Sequence, residues 1–203
     1  MAEEPGRMKT KEKILRAAVR LFSDRGYDKV SMRDIAAAVG IKAASIYNHY
    51  SSKEELLKSI YGFYVAQQRQ LFPTPEEHLR MAETASLAQL LSSLDIHYSP
   101  PEIDEMMNRI ITIAFREINV DRDSEQFIRG CIFDSVNDLL RPLFARMVEL
   151  GRLEPFDIDT FLCLFNYFSF AGAALYNSPL RIPPGKWSAC LGLLFGTIMD
   201  KEP

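Results

Sequence analysis

Residues 31–56, "SMRDIAAAVGIKAASIYNHYSSKEEL", decide the reading of this chain. Ile35 and Ala36 lead into Val39-Gly40-Ile41, and Ile46 follows, which spells a short helix, a tight glycine turn and a second short helix with its apolar side inward. That order is the grammar of a helix-turn-helix, in which the second helix enters a DNA major groove. Ala36 lets the two helices approach closely, and Gly40 adopts positive φ at little steric cost. The second helix, about Lys42 to His49, leaves Lys42, Ala43, Ser45, Asn48 and His49 outside, groups small or polar enough to meet base edges. Ser52, Lys53 and the free amides of the next helix start form a phosphate site.

The flanking sequence continues in helical rhythm. Ile14, Leu15, Ala18, Leu21 and Phe22 share one face of a helix, with Thr10 placed to cap its start and Arg25-Gly26 to end it. Ser31 with Asp34, and Ser52 with Glu55, have the spacing of capping boxes. Pro73-Thr74-Pro75 stops one helix and starts another, with Thr74 as cap and Pro75 in the first turn; Ser99-Pro100 does the same before Ile103, Met107, Ile110, Ala114, Phe115 and Ile118. A long helix is expected from "NVDRD" to about Leu150, with Pro142 kinking it. Two further apolar helices, about 157–177 and 186–199, are separated by "SPLRIPPG". No strand alternation is present, so the expected fold is all-α with about nine helices. The expected division is a flexible tail (1–8), a helix-turn-helix domain (9–54) and a helical ligand-binding and dimerisation domain (55–203).

Charge separates the head from the body. From Arg7 to Lys53 eleven bases face four acids, a net of +7 inside a chain whose total is −3. A basic head on an acidic body favours double-stranded DNA as the partner of the head alone. The 203 residues, 47% hydrophobic and 25% charged, suit a soluble protein of one large or two small domains. "MAEEPGRMK" at the start lacks the apolar stretch of a signal peptide, so a cytoplasmic location is expected. Cys131, Cys163 and Cys190 show no CxxC or Cys/His spacing and read as small core residues, with no metal or cofactor expected. An enzyme is disfavoured: His49, His78 and His97 are scattered, His97 reading as a loop residue, and no Gly-rich phosphate loop or nucleophile elbow is present.

The runs "ILRAAVRLFSDRGYDKVSM" and "VSMRDIAAAVGIKAASIYNHYSSKEELL" resemble the tetracycline-repressor (TetR) family of transcriptional regulators over roughly the first quarter of the chain. The resemblance implies that Tyr47 and His49 contact phosphates, that Ser31 and Lys53 add backbone contacts, and that Lys42, Ala43, Ala44, Ser45 and Asn48 form the base-reading face. Two departures stand out: Lys42 occupies the cap position where the family has Ser or Thr, and Ala43-Ala44 are short, which shifts base discrimination toward thymine methyls and DNA shape.

The rest of the chain matches that family in architecture, with a ligand domain and a two-fold seam between the last two helices. "FLCLFNYFSFAGAALY" (161–176) is apolar nearly all round, which requires burial on more than one side, and Asn166, Ser169 and Gly172 interrupt it too often for a membrane span. A homodimer seam is therefore expected to use Phe161, Ser169, Gly172, Tyr176, Gly192, Phe195, Gly196 and Met199. The aromatics crowding the middle helices suggest a cavity for a small apolar effector, lined by Met107, Phe115, Phe144, Phe165 and Phe168 and oriented by Asn137 or Tyr167; Asn108, Arg109, Arg116 and Asn166 are further polar candidates. The function so read is a ligand-responsive regulator released from an inverted-repeat operator. Activation in place of repression stays open, and so does a helical adaptor that binds another protein through the C-terminal helices.

Overall fold

The computed structural model describes residues 9–71, 74–84, 101–175, 179–183 and 186–196. Within these, α1 spans Thr10–Arg25, α2 Met32–Val39, α3 Ala43–Ile46, α4 Lys53–Leu71, α5 Pro75–Thr84, α6 Pro101–Glu117, α7 Arg122–Ile128, α8 Ser135–Glu149, α9 Ile158–Leu175 and α10 Trp187–Gly196. A π-helical segment, Arg129–Asp134, joins α7 to α8. Taken as one long element, α7, the π segment and α8 bring the described helices to nine, and the described residues include no strand. Residues 1–8, Pro73, His97, Ser99, Pro100, Tyr176 and Met199 lie outside the described residues.

The helix ends follow local chemistry. At α2 the Ser31 hydroxyl accepts the Asp34 N–H at 3.2 Å while the Asp34 carboxylate accepts the Ser31 N–H at 2.8 Å, a complete capping box. Thr74 and Glu77 form the same pair at α5. At α4 the box is offset: Ser52 accepts from the Glu55 N–H, but the Glu55 carboxylate reaches back to the N–H and hydroxyl of Ser51. Thr10 is not the cap residue, since Lys9 holds that position, with no side-chain cap bond, and Thr10 is already helical. Gly26 (φ 91°) closes α1 and Gly40 (φ 75°) closes α2, its N–H returning to the carbonyls of Ala36 and Ala37; both need the conformational range of glycine.

Contacts divide the chain into two compact units. The first, Met1–Gln67 with Pro100–Glu125, buries Ile14, Ala18, Phe22, Ile35, Ile46, Leu56, Ile60, Ile110 and Ala114, and α6 packs along α1 inside it. The expected boundary after residue 54 falls in the first turn of α4. The second, Gln68–Ser99 with Gln126–Pro203, is built on Leu140, Leu143, Phe144, Met147, Leu153, Phe161 and Leu162. The Phe144 ring meets Phe156 at 5.6 Å and Phe161 at 5.3 Å, both edge-on, the arrangement that ring quadrupoles favour.

The long helix expected up to Leu150 is interrupted in a way that Pro142 does not explain. Pro142 sits inside α8, but the departure from α geometry comes earlier, where the Ser135 N–H bonds the Gly130 carbonyl five residues back and the Ser135 hydroxyl donates to the same oxygen at 2.6 Å. Such a widened turn accommodates one extra residue. Among the cysteines, Cys163 is exposed on α9 and so is not a core residue; Cys131 and Cys190 are half-buried, and all three are free thiols. Burial pushes the Cys131 thiol up to about 12, which leaves it protonated and inert.

Candidate nucleic-acid interface

Ile46, fully buried, anchors α3 from below, so its neighbours are presented outward. Lys42, Ala43, Ala44, Tyr47 and Asn48 are exposed, and Ser45 and His49 are half-buried. Lys42 makes no side-chain cap bond, as its chemistry requires. The helical turn is shorter than expected, Ala43–Ile46, and residues 47–49 continue as turns. Behind it, Tyr50 is buried with its hydroxyl donating to the Lys11 carbonyl at 3.4 Å, and the Lys11 ammonium lies 5.2 Å from its ring centre.

Beside α3 the starts of α2 and α4 enclose a cleft of about 660 Å³. Lys29, Arg33 and Lys53 line it with Ser31, Tyr47 and Ser52, against the single acid Asp28. Three cations, hydroxyls and two helix N-termini converging on one concavity suit an anionic phosphate. The cleft thus gathers Ser31, Tyr47 and Lys53, but not His49. Lys29 and Arg33 belong to it and were singled out by no motif; the signal for them is two bases flanking a helix-cap serine.

Lys53 is held differently from a free phosphate contact. Its ammonium donates to the carbonyls of Tyr27 at 3.0 Å and Val30 at 3.2 Å and stands 4.0 Å from the Tyr27 ring centre. The same lysine that faces the cleft therefore ties the start of α4 to the loop between α1 and α2. Arg109 and Arg116, candidates for orienting an effector, are committed elsewhere: Arg109 donates to the Ser23 hydroxyl and to Asp24, and Arg116 to the Ser23 carbonyl.

The expected effector residues fall in both units. Met107, buried, and Phe115, half-buried, are on α6 in the first. In the second, Phe144 is wholly buried in the core and Phe165 packs against that core. Phe168 is half-buried on α9, whereas Tyr167 is 64% exposed and meets Phe133 edge-on. Asn166, only 3% exposed, donates to the Asn137 side-chain oxygen at 2.8 Å, and its own oxygen is buried without a hydrogen-bond partner.

Of the expected seam, Phe161 is buried in its own protomer's core through Phe144 and Phe156, because its helical position faces inward. Ser169, Gly172 and Gly196 are half-buried and Gly192 is exposed; Phe195 is placed by its backbone in α10. The outward apolar residues are Leu164 (56% exposed), Tyr167 and Leu175 on α9 and Leu193 (77% exposed) on α10. Helix α9 has a mean hydropathy of 1.4 with 17% of its residues buried. No cluster of three metal-ligating side chains occurs among the described residues.

Fold and site together define a helix-turn-helix DNA-binding protein. Residues 14–60 match the family model described as "Bacterial regulatory proteins, tetR family". The chain is 27% identical over 140 residues to the biofilm operon icaADBC negative transcriptional regulator IcaR of Staphylococcus epidermidis, covering 58% of this chain and 76% of that one. Its likeness to IcaR of Staphylococcus aureus is 51% over 51 residues, a quarter of each chain, confined to a DNA-binding-domain length. The fold matches NalD of Pseudomonas aeruginosa, the secondary repressor of the MexAB-OprM multidrug efflux pump, with a TM-score of 0.66 at 20% identity, over 95% of this chain and 97% of that one. Residues 14–60 thus carry the DNA-binding domain of the tetR family, and the chain is similar to DNA-binding transcriptional regulators.

Proposed function

We propose that this protein is a cytoplasmic homodimeric repressor that holds an inverted-repeat operator and is released from it by a small, largely apolar effector. The observation that carries the DNA half is the cleft of Lys29, Ser31, Arg33, Tyr47 and Lys53 beside the exposed face of α3. One strand's phosphates enter the cleft while Lys42, Ala43, Ala44, Ser45 and Asn48 face the major groove, with His49 at the groove's edge. Because the alanines offer only methyl groups, base discrimination leans on thymine methyls and on DNA shape. Repression is favoured over activation by the negative regulators to which the chain is similar.

The assembly half rests on the exposed leucines of α9 and α10, an apolar face that in an isolated protomer meets water. A second copy covers it in a closed two-fold arrangement, which also sets two α3 helices about 34–36 Å apart for successive major grooves. The Asn137–Asn166 bond across α8 and α9, with its spare buried acceptor, supports an effector that carries a hydrogen-bond donor on an otherwise apolar frame. An adaptor that uses the same apolar helices leaves the basic cleft without a purpose.

Selection of bound duplexes from a random pool tests the reading directly. An enriched inverted repeat, bound with a steep dependence on salt, is the expected result. Equal recovery of all duplexes, or salt-insensitive binding, refutes it.

A further inference from the structure

The loop that joins α1 to α2 builds one wall of the phosphate cleft, yet it has little structure of its own. Between Gly26 and Ser31 it makes one internal backbone bond, from the Val30 N–H to the Tyr27 carbonyl at 3.2 Å. The end of α1 from which it departs is held by side chains from α6, and the loop itself by Lys53 of α4. Arg109 Nη1 donates to Ser23 Oγ at 2.8 Å and to Asp24 Oδ1 at 2.6 Å, while its Nε is held by Glu105 at 3.0 Å. Arg116 Nη1 donates to the Ser23 carbonyl, one of the last-turn carbonyls of α1 that no helical N–H reaches. Lys53 Nζ donates to the Tyr27 carbonyl at 3.0 Å. That carbonyl is thus fixed, and the Tyr27 ring is set edge-on against Phe22 at 5.1 Å.

Stability does not explain this arrangement. The Arg109–Asp24 pair is 31% and 54% exposed, a setting in which ion pairs contribute little. What the two arginines supply is geometry. We propose that Arg109 and Arg116, neither of which lines the cleft, are positioning residues for DNA binding: they clamp the end of α1 at Ser23 and Asp24, from which the loop to Ser31 departs, and so hold Lys29, Ser31 and Arg33 at the spacing the phosphate requires. The inference rests on the DNA-binding reading of the cleft and adds to it residues that lie about eighty positions away in sequence from those they place.

The probe is the duplex enriched from the random pool, with a scrambled duplex of the same length as reference. Arg109→Met and Arg116→Met are expected to weaken the enriched duplex about 2- to 30-fold, the range of effects transmitted through packed neighbours, with no change in the slope of log affinity against log salt. Arg33→Met, a direct phosphate contact, is expected to lower that slope by about one. Far-ultraviolet dichroism establishes that each variant is folded; if a methionine variant is not, Arg109→Lys and Arg116→Lys, which keep charge but lack the planar fork, are read in its place and are expected to weaken binding equally. Folded variants of wild-type affinity overturn the proposal, as does a slope reduced by one in either arginine variant. Failure to enrich any duplex instead overturns the DNA-binding reading itself.

Discussion

Leu193→Asp is expected to dissolve the dimer while leaving the protomer folded. Leu193 is 77% exposed on α10, among helices whose outward face also carries Leu164, Tyr167 and Leu175. Covering a leucine fully stabilises by about 1.5–3 kcal/mol, so removing the exposed fraction of two symmetric copies costs about 2–5 kcal/mol per dimer, before the desolvation of two carboxylates is added. At 1.4 kcal/mol per decade that raises the dimer dissociation constant by roughly thirty-fold to several thousand-fold. Sedimentation equilibrium over a wide concentration range measures it. Val120→Asp is the matched control, because Val120 is 79% exposed but follows α6 in the first unit, away from α9 and α10 in sequence. Gly196→Leu supplies a second reading: a Cβ at Gly196 meets nothing within 4 Å among the described residues, so the substitution is expected to act mainly on a partner. If wild type sediments as a monomer, or Leu193→Asp associates as wild type does, the seam is wrongly placed.

Three further outcomes are expected. Gly40→Ala forces a Cβ into φ 75° and costs about 1–2 kcal/mol, less the few tenths gained by stiffening the unfolded chain; a urea midpoint equal to that of wild type refutes it. Tyr61→Phe removes the buried bond between the Tyr61 and Ser124 hydroxyls (2.7 Å), although Ser124 still donates to Asp121 at 2.6 Å, so thermal unfolding is expected to show a loss of about 0.5–1.5 kcal/mol. Hydrogen bonds from the Ser31 side chain to Asp34, from the Ser51 side chain to Glu55 and from the Thr160 backbone to Asp157 hold these carboxylates below their ordinary range. A folded pKa below the unfolded one means stability that is present above about pH 4 and lost as pH falls through the folded values; Ser31→Ala is therefore expected to destabilise at pH 6 and to do so progressively less toward pH 2, and a constant difference across that range refutes the capping argument.

The helix-turn-helix was legible because its signals are local. A glycine that must reach positive φ at position 40 and a serine three residues before Asp34 constrain their own neighbours and nothing further away. Residues whose role depends on a distant partner could be read only by type. Arg109 and Arg116 look like effector contacts in a polar-among-apolar pattern, and only the packing of α6 on α1 shows that their guanidinium groups close the end of α1. Phe144 and Phe161 carry the same helical spacing as a cavity lining or a seam, since apolar periodicity marks an inward face without saying what fills it. Cys163 fell outside the core for the same reason. The inward turn of Lys53 toward Tyr27 and Val30 has no sequence signal at all, because a lysine at the start of a helix satisfies a phosphate and a loop carbonyl equally well.

The π segment at Arg129–Asp134 acts as a register shim. An α-helix turns about 100° per residue, and the widened turn absorbs one extra residue without passing that rotation on to α8. Deleting a single residue there, Gly130 for instance, would let α7 run into α8 as an unbroken helix while keeping Asn137 turned to Asn166 and Leu140, Leu143 and Phe144 turned to the core. Closing the turn to α geometry with the residue retained would instead rotate α8 by about a quarter of a turn, so the π segment lets this chain carry one more position without rebuilding the hydrophobic stripe and the Asn137–Asn166 bond together.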